Sequence, residues 1–92
     1  MRTMRAVITV IGKDAVGIIA EVSAVLKKSS ANIVDISQSV LQDLFAMIML
    51  VDISNLNVDF IQLSEELSAL GKTMGLDIRT MHEDIFDSMH QI

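Results

Sequence analysis

The apolar residues of this chain switch between strand and helix periods, and this alternation is the sequence feature that most restricts the fold. Residues 5–11 (RAVITVI) are rich in β-branched side chains and end at Gly12, which predicts a strand. The apolar residues that follow recur at helical spacing and predict an amphipathic helix that ends near Ser29. That stripe comprises Ile18, Ile19, Val22, Val25 and Leu26.

The second half of the chain repeats this order with one extra strand. Two apolar segments, 33–41 and 44–53, are separated only by Gln42-Asp43, which predicts an antiparallel hairpin. A second helical stripe follows, for which Asn55 and Asn57 are candidate caps. Its members are Phe60, Leu63, Leu67, Leu70 and Met74.

The end of the chain predicts one more strand and a short helix. Gly75 stands where a left-handed helix cap is expected, and residues 76–81 form the last predicted strand. In the tail, 82–92, the residues Ile85, Phe86 and Met89 lie on one side of a short helix. The predicted order is therefore βαββαβ with a helical tail. Two helices that return to one antiparallel sheet give an α+β fold, the ferredoxin-like two-layer sandwich.

Length and composition limit the class of protein. Ninety-two residues predict a single domain, 1–92, with a core at about 5–81, because two cores would each be too small. Seven basic residues against twelve acidic ones give a net charge of −5, which argues against nucleic acid as a partner. The longest apolar run, 44–51, is shorter than the roughly 20 residues of a membrane span. The chain has no cysteine and so no disulfide, which fits a reducing cytoplasm.

Hydrophobic residues make up 51% of the chain, and their surplus is concentrated in the segment 44–53. Both faces of this predicted strand are apolar, so a two-layer domain would leave one of them in water. Exposure forgoes roughly 1.5–3 kcal/mol for each large side chain. We therefore predict a homodimer or higher homo-oligomer, although a central strand with a partly covered second face is an alternative. The predicted interface comprises Phe45, Met47, Met49 and Val51.

Two glycines, Gly12 and Gly17, bracket the turn between the first strand and the first helix (GKDAVG). Asp14 is placed to cap the helix, and the remaining backbone amides and the helix dipole suit a carboxylate or a phosphate. The spacing is similar to that of a nucleotide-binding P-loop, but Ile18-Ile19 occupies the place of the required Lys-Ser/Thr. From residue types alone, the turn is either a small anion site or a capped turn without a ligand.

The sequence lacks the combinations of residues that catalysis or metal binding requires. His82 and His90 are eight residues apart, which does not give a compact set of metal ligands on a helix. No serine stands in a motif that would supply an activating base. We therefore predict no catalytic residue, no metal site and no cofactor.

Four segments together resemble an ACT domain, and in particular the small stand-alone ACT proteins of bacteria and archaea. They are 7–26 (VITVIGKDAVGIIAEVSAVL), 32–38 (NIVDISQ), 45–52 (FAMIMLVD) and 81–86 (MHEDIF). The resemblance implies regulation without catalysis, because ACT domains bind amino acids or other small ligands. The ligand typically lies where the first loop and helix of one subunit meet a neighbour.

The resemblance also implies which residues bind the ligand. Gly12, Asp14 and Gly17 match the loop motif, and Asn32-Ile33 matches the Asn-Ile pair that usually faces the loop. Many ACT loops carry Arg-Pro after the aspartate, whereas this chain has Ala15-Val16 and so lacks one possible ligand contact. The full predicted ligand site is Gly12, Lys13, Asp14, Gly17, Ile18, Asn32 and Ile33.

The sequence thus favours a cytoplasmic homodimer of ACT domains that binds an amino acid at the subunit interface. The two sheets of such a dimer lie either side by side or face to face. The alternative is a protein-interaction subunit that controls a transcription factor or a metabolic enzyme through its tail and its open sheet face.

Overall fold

The computed structural model describes residues 4–13 and 16–89. The elements follow one another as β1 (Arg5–Gly12), α1 (Ile18–Lys28), β2 (Asn32–Leu41), β3 (Leu44–Asp52), α2 (Phe60–Met74), β4 (Asp77–His82) and α3 (Glu83–Met89). This order confirms the predicted ferredoxin-like α+β fold with a C-terminal helix.

The four strands form one antiparallel sheet in the order β2-β3-β1-β4. At one end of the sheet, Arg5 of β1 pairs with Asp52 of β3, which in turn pairs with Asn32 of β2. At the opposite end, Gly12 of β1 lies level with Phe45 of β3 and, through it, with Val40 of β2. The residue numbers along β1 and β2 therefore measure position along the sheet and increase in the same direction.

The two long helices cover one face of the sheet with the predicted apolar stripes. Ile18, Val22 and Leu26 of α1 are buried, as are Leu63 and Leu67 of α2. These side chains pack in one core with the residues of the sheet that point toward the helices. The helical period recognised in the sequence is therefore the period of burial, except at Ile19, which was predicted in the stripe but is 39% exposed.

The C-terminus of α2 also has the predicted form. Gly75 adopts the left-handed conformation with a φ of 72°. The Leu76 amide donates a hydrogen bond of 2.7 Å to the Gly71 carbonyl, and the Gly75 amide donates to the Lys72 carbonyl. This is a Schellman arrangement, which ends the helix and directs the chain into β4.

The start of α2 differs from the prediction. The N-cap is Asp59, and neither Asn55 nor Asn57 caps the helix. The Asn57 side chain instead donates hydrogen bonds to the Lys28 carbonyl at 2.9 Å and to the Ser30 hydroxyl at 3.2 Å. A tertiary contact with the end of α1 thus takes the place of the expected local cap.

The structure corrects the predicted subunit interface. Met47, Met49 and Val51 are at most 1% exposed within the single chain, and the half-buried Phe45 packs against the same core. These residues share the helix-facing side of the sheet with Ala6, Ile8 and Val10, which pair with Val51, Met49 and Met47 respectively. Both faces of β3 are apolar, so alternation alone cannot show which one the helices cover. The helices already occupy the face that the sequence assigned to a partner.

The sheet face opposite α1 and α2, here called the open face, carries the apolar surplus. Ile11 and Ile48 are each 45% exposed, and Leu44 is 42% exposed. Val7 lies on the same face but is buried. The helix α3 contacts both β1 and β4 and covers this part of the face. The open face is therefore partly covered by α3 and otherwise accessible.

An ion pair attaches α3 to the sheet. The Arg5 guanidinium contacts the Glu83 carboxylate twice, with Nη2–Oε2 at 2.7 Å and Nε–Oε1 at 3.0 Å. Two parallel contacts of this kind fix the direction of both side chains. On the helix-facing side, the His82 ring stacks on Phe60 with a centroid distance of 4.1 Å. None of the helices in the described ranges is both long and apolar enough to span a membrane.

Candidate functional site

The junction between β1 and α1 forms the first half of the predicted ligand site. Gly17 has a φ of 78°, a conformation that side chains disfavour, and a Cβ added there would meet no atom within 4 Å. Its carbonyl accepts the Glu21 amide at 3.1 Å, so the helix begins directly after this glycine. Backbone conformation, and not lack of space, is the reason for glycine at this position.

The side chains of this junction have different environments. Lys13 is exposed, whereas Ile18 is 2% exposed and belongs to the core. Ile18 can therefore meet a ligand only through its backbone. Gly12 lies against Leu76, whose side chain would overlap an added Cβ. Asp14 lies outside the described residues, so its role as a helix cap stays a prediction.

Asn32 and Ile33, the second half of the predicted site, lie at the other end of the sheet. Asn32 is level with Arg5, whereas the junction begins at Gly12, seven residues farther along β1. At about 3.3 Å per residue, this separates the two halves by roughly 23 Å along the strands. A small ligand cannot contact both halves of the site within one chain.

A groove surrounds Asn32 between the end of α1 and the start of β2. Its volume is about 590 Å³, within the range of roughly 300–1,000 Å³ that is typical of small-molecule sites. The lining residues are Ser23, Leu26, Lys27, Ser30, Ala31, Asn32, Ile33 and Asn55. Of these, only Asn32 and Ile33 were predicted.

The missed residues give little signal in the sequence. Ser23 and Lys27 are four positions apart and therefore share a face of α1, but a basic last turn is common in helices. Asn55 has the residue type of a turn or a cap, and its sequence position does not show that the chain returns to the end of α1. Only the folded chain places these residues around Asn32.

One carboxylate near this end of the sheet is already engaged. Asp52 accepts a hydrogen bond of 2.8 Å from the Ser54 backbone amide. That bond, followed by the Ser54 side chain and the nearby Arg5 charge, lowers the pKa of Asp52 below its usual value of 3.8, against a smaller opposing effect of desolvation. Within residues 4–13 and 16–89, no three acidic or histidine side chains lie close enough together to hold a metal ion.

Comparisons with known proteins identify the family. Residues 4–81 match the sequence profile of the ACT domain. A UPF0237 protein from Methanocaldococcus jannaschii is 53% identical over 88 residues, which cover 96% of this chain and 98% of the relative. The chain therefore belongs to the ACT domain family, a family of regulatory modules that bind small ligands.

Solved structures show the same fold. An ACT domain protein from Streptococcus pneumoniae superposes with a TM-score of 0.78 at 41% identity, over 92% of this chain and 96% of that chain. A candidate glycine cleavage system transcriptional repressor superposes with a TM-score of 0.71 at 29% identity, over 89% of this chain and 47% of the other. The ACT fold thus occurs both as a small protein and as part of a longer one.

Proposed function

We propose that this protein is a cytoplasmic regulatory module that binds an amino acid between two copies of the chain and catalyses no reaction. The observation that carries the proposal is the separation of the two halves of the site by the sheet register. Neither half can complete the site within its own chain. A second copy of the chain supplies what is missing.

The β2 edge supports pairing with a second copy. All ten residues of β2 are exposed except Ile36, which is half-buried, and β2 lies at the end of the strand order. The outer row of backbone groups on such a strand is a template for another strand. This strand contains no proline and only one charged residue, Asp35, so it lacks the usual protection against pairing.

Antiparallel pairing of β2 with β2 of a second copy would join the two halves of the site. When the two β2 strands pair along their full length, Asn32 of one copy lies level with Leu41 of the other. Leu41 follows Val40, which is level with Gly12 in the sheet. The groove of one copy would then lie at the same end as the junction of the other, and this would happen twice in each dimer.

The chemistry of the two halves suits the two charged groups of an amino acid. The backbone amides at the start of α1 favour a carboxylate. The Asn32 side chain offers an amide oxygen, and Asp14 a carboxylate, to the ammonium group. Many ACT loops carry Arg-Pro where this chain has Ala15-Val16. Without that arginine, backbone groups and the exposed Lys13 bind the carboxylate.

Thermal melting of the full chain with each of the twenty amino acids tests the proposal. A ligand at 100 times its Kd should stabilise the protein by about 2.7 kcal/mol, so at least one amino acid should raise the Tm clearly. Asn32→Ala should abolish that rise, whereas Gln62→Ala, on the exposed surface of α2, should preserve it. Failure of every amino acid to raise the Tm at millimolar concentration would reject the proposal.

The open face favours a second candidate, a protein-interaction subunit. The open face exposes Ile11 and Ile48. The helix α3 exposes two more apolar side chains, Ile85 (52% exposed) and Met89 (66% exposed). A partner protein bound there would cover both α3 and the uncovered part of the sheet. Capture of one stoichiometric partner that is lost on deletion of residues 83–92 would support this function, and capture that survives the deletion would oppose it.

A further inference from the structure

The charge of the groove points to the class of amino acid that the site accepts. Among the residues that line the groove, Lys27 is the only charged one, in a chain with a net charge of −5. We infer that the ligand has an acidic side chain and that Lys27 receives its carboxylate. This inference rests on the proposed function, in which the junction of the second copy holds the α-carboxylate.

A comparison of two neighbouring lysines shows that Lys27 is available. Lys28 forms an ion pair of 3.2 Å with Glu66. Lys27 makes no ion pair or side-chain hydrogen bond within the described residues. Both lysines lie in the last turn of α1, where a cation is favoured by the helix dipole. The charge of Lys28 is thus partnered within the fold, and that of Lys27 is left to the groove.

The carbonyl groups at the end of α1 do not compete for the ligand. The last four carbonyls of the helix all accept hydrogen bonds, three of them from the backbone amides of 29–31 and the fourth from the Asn57 side chain. These carbonyls belong to Val25, Leu26, Lys27 and Lys28. The end of a helix usually attracts cations through such groups. Because these acceptors are occupied, the side chains of the groove determine its preference.

The remaining lining residues suit a short acidic side chain. Asn32 and Asn55 make no side-chain hydrogen bond among the described residues and offer amide donors. Leu26 and Ile33 supply apolar walls for the methylene groups. No acidic residue lines the groove, and the carboxylate of Asp52, the register partner of Asn32, accepts a hydrogen bond from Ser54. The groove therefore presents donors to an anion without an opposing carboxylate.

Calorimetric titration of the full chain with L-aspartate, L-glutamate, L-asparagine and L-glutamine at fixed ionic strength tests the inference. An acidic amino acid should bind roughly tenfold or more tightly than its amide, because hydrogen bonds between charged groups are the stronger kind. Lys27→Gln should weaken the binding of the acid by a similar factor and leave that of the amide unchanged. Lys72→Gln, the matched control near the end of α2, should behave as the wild type.

The outcomes separate this inference from the proposed function. If neutral amino acids bind as tightly as acidic ones, or if Lys27→Gln leaves the affinity for the acid unchanged, the inference is wrong while the proposed function stands. If no amino acid binds to any variant, the proposed function fails and the inference fails with it. Unchanged melting of ligand-free Lys27→Gln relative to the wild type would show that the variant is folded.

Discussion

At the scale of single residues, Gly71 is a buried position at which α2 lies close to the chain that enters β4. A Cβ at this buried position would lie 2.7 Å from the Leu76 backbone carbonyl oxygen and 3.0 Å from Ile78 Cγ1. Backbone cannot move aside as a flexible side chain does. Helix preference and packing therefore make opposite demands here, since alanine is favoured over glycine in a helix by about 1 kcal/mol.

We predict that Gly71→Ala destabilises the protein by about 1–3 kcal/mol, because the overlap with the backbone outweighs the gain in helix preference. Urea unfolding measures the change in the free energy of unfolding. Ala69→Gly, at an exposed site on the same helix, should lower the free energy of unfolding by about 1 kcal/mol through the lower helix propensity of glycine alone. A Gly71→Ala variant more stable than the wild type would show that the helix can shift away from the sheet.

Asp52 makes a pH-dependent contribution to stability. Its pKa is lower in the folded chain because the Ser54 amide and hydroxyl stabilise the carboxylate, so folding opposes protonation. The stabilisation is complete above the unfolded value near 3.8 and is lost as the pH falls through the lower, folded pKa. We predict that Asp52→Asn lowers the Tm at pH 6 and that this deficit shrinks toward pH 3. Gln62→Ala, which removes no titratable group from the exposed surface of α2, should show no such trend.

At the scale of secondary structure elements, the chain's own pattern accounts for most of the fold. The β2–β3 hairpin, the stripes of α1 and α2 and the C-cap at Gly75 follow from periodicity and residue type, which are local properties. The start of α2 does not, because Asn57 bonds to the end of α1, 27 to 29 residues earlier in the chain. A residue whose type suits both a local and a distant role cannot be assigned to either from local sequence.

The attachment of α3 depends on the ion pair between Arg5 and Glu83. We predict that Glu83→Gln lowers the free energy of unfolding by up to about 1 kcal/mol, because the partly exposed pair is screened by water. Asp84→Asn, the neighbouring acid in the same turn, should have a smaller effect, since no ion pair involves Asp84 among the described residues. Urea unfolding of both variants measures the difference. Equal losses of unfolding free energy in the two variants would show that the ion pair is not the cause.

At the scale of the whole molecule, the edge strand and the open face offer two different routes to assembly. The proposed site uses the β2 edge, because antiparallel pairing there brings the groove of one copy to the end of the sheet that holds the junction of the other. Face-to-face packing of the open faces would bury Ile11 and Ile48 but would leave each half of the site incomplete. The two geometries that the sequence left open therefore have different functional consequences.

We predict a dimer at micromolar concentration that depends on β2. Val40→Lys places a charge on the edge strand at a side chain that is 68% exposed, and it should shift the protein toward monomers. Ile61→Lys, at a 70% exposed site on α2, is the matched control and should remain dimeric. Sedimentation velocity over a range of concentrations measures both. A wild-type chain that is monomeric throughout would contradict the prediction.

The sequence by itself determined the order of elements, the apolar stripes and the loop motif, because each depends on residues close together in the chain. Tertiary structure decided which apolar face of β3 meets the helices, which residues surround Asn32, and how far Asn32 lies from Gly12. Those features depend on strand order and register, through which residues distant in the chain become neighbours. The same register sets the two halves of the predicted site at opposite ends of one sheet, so a small ligand that contacts both halves needs a second chain.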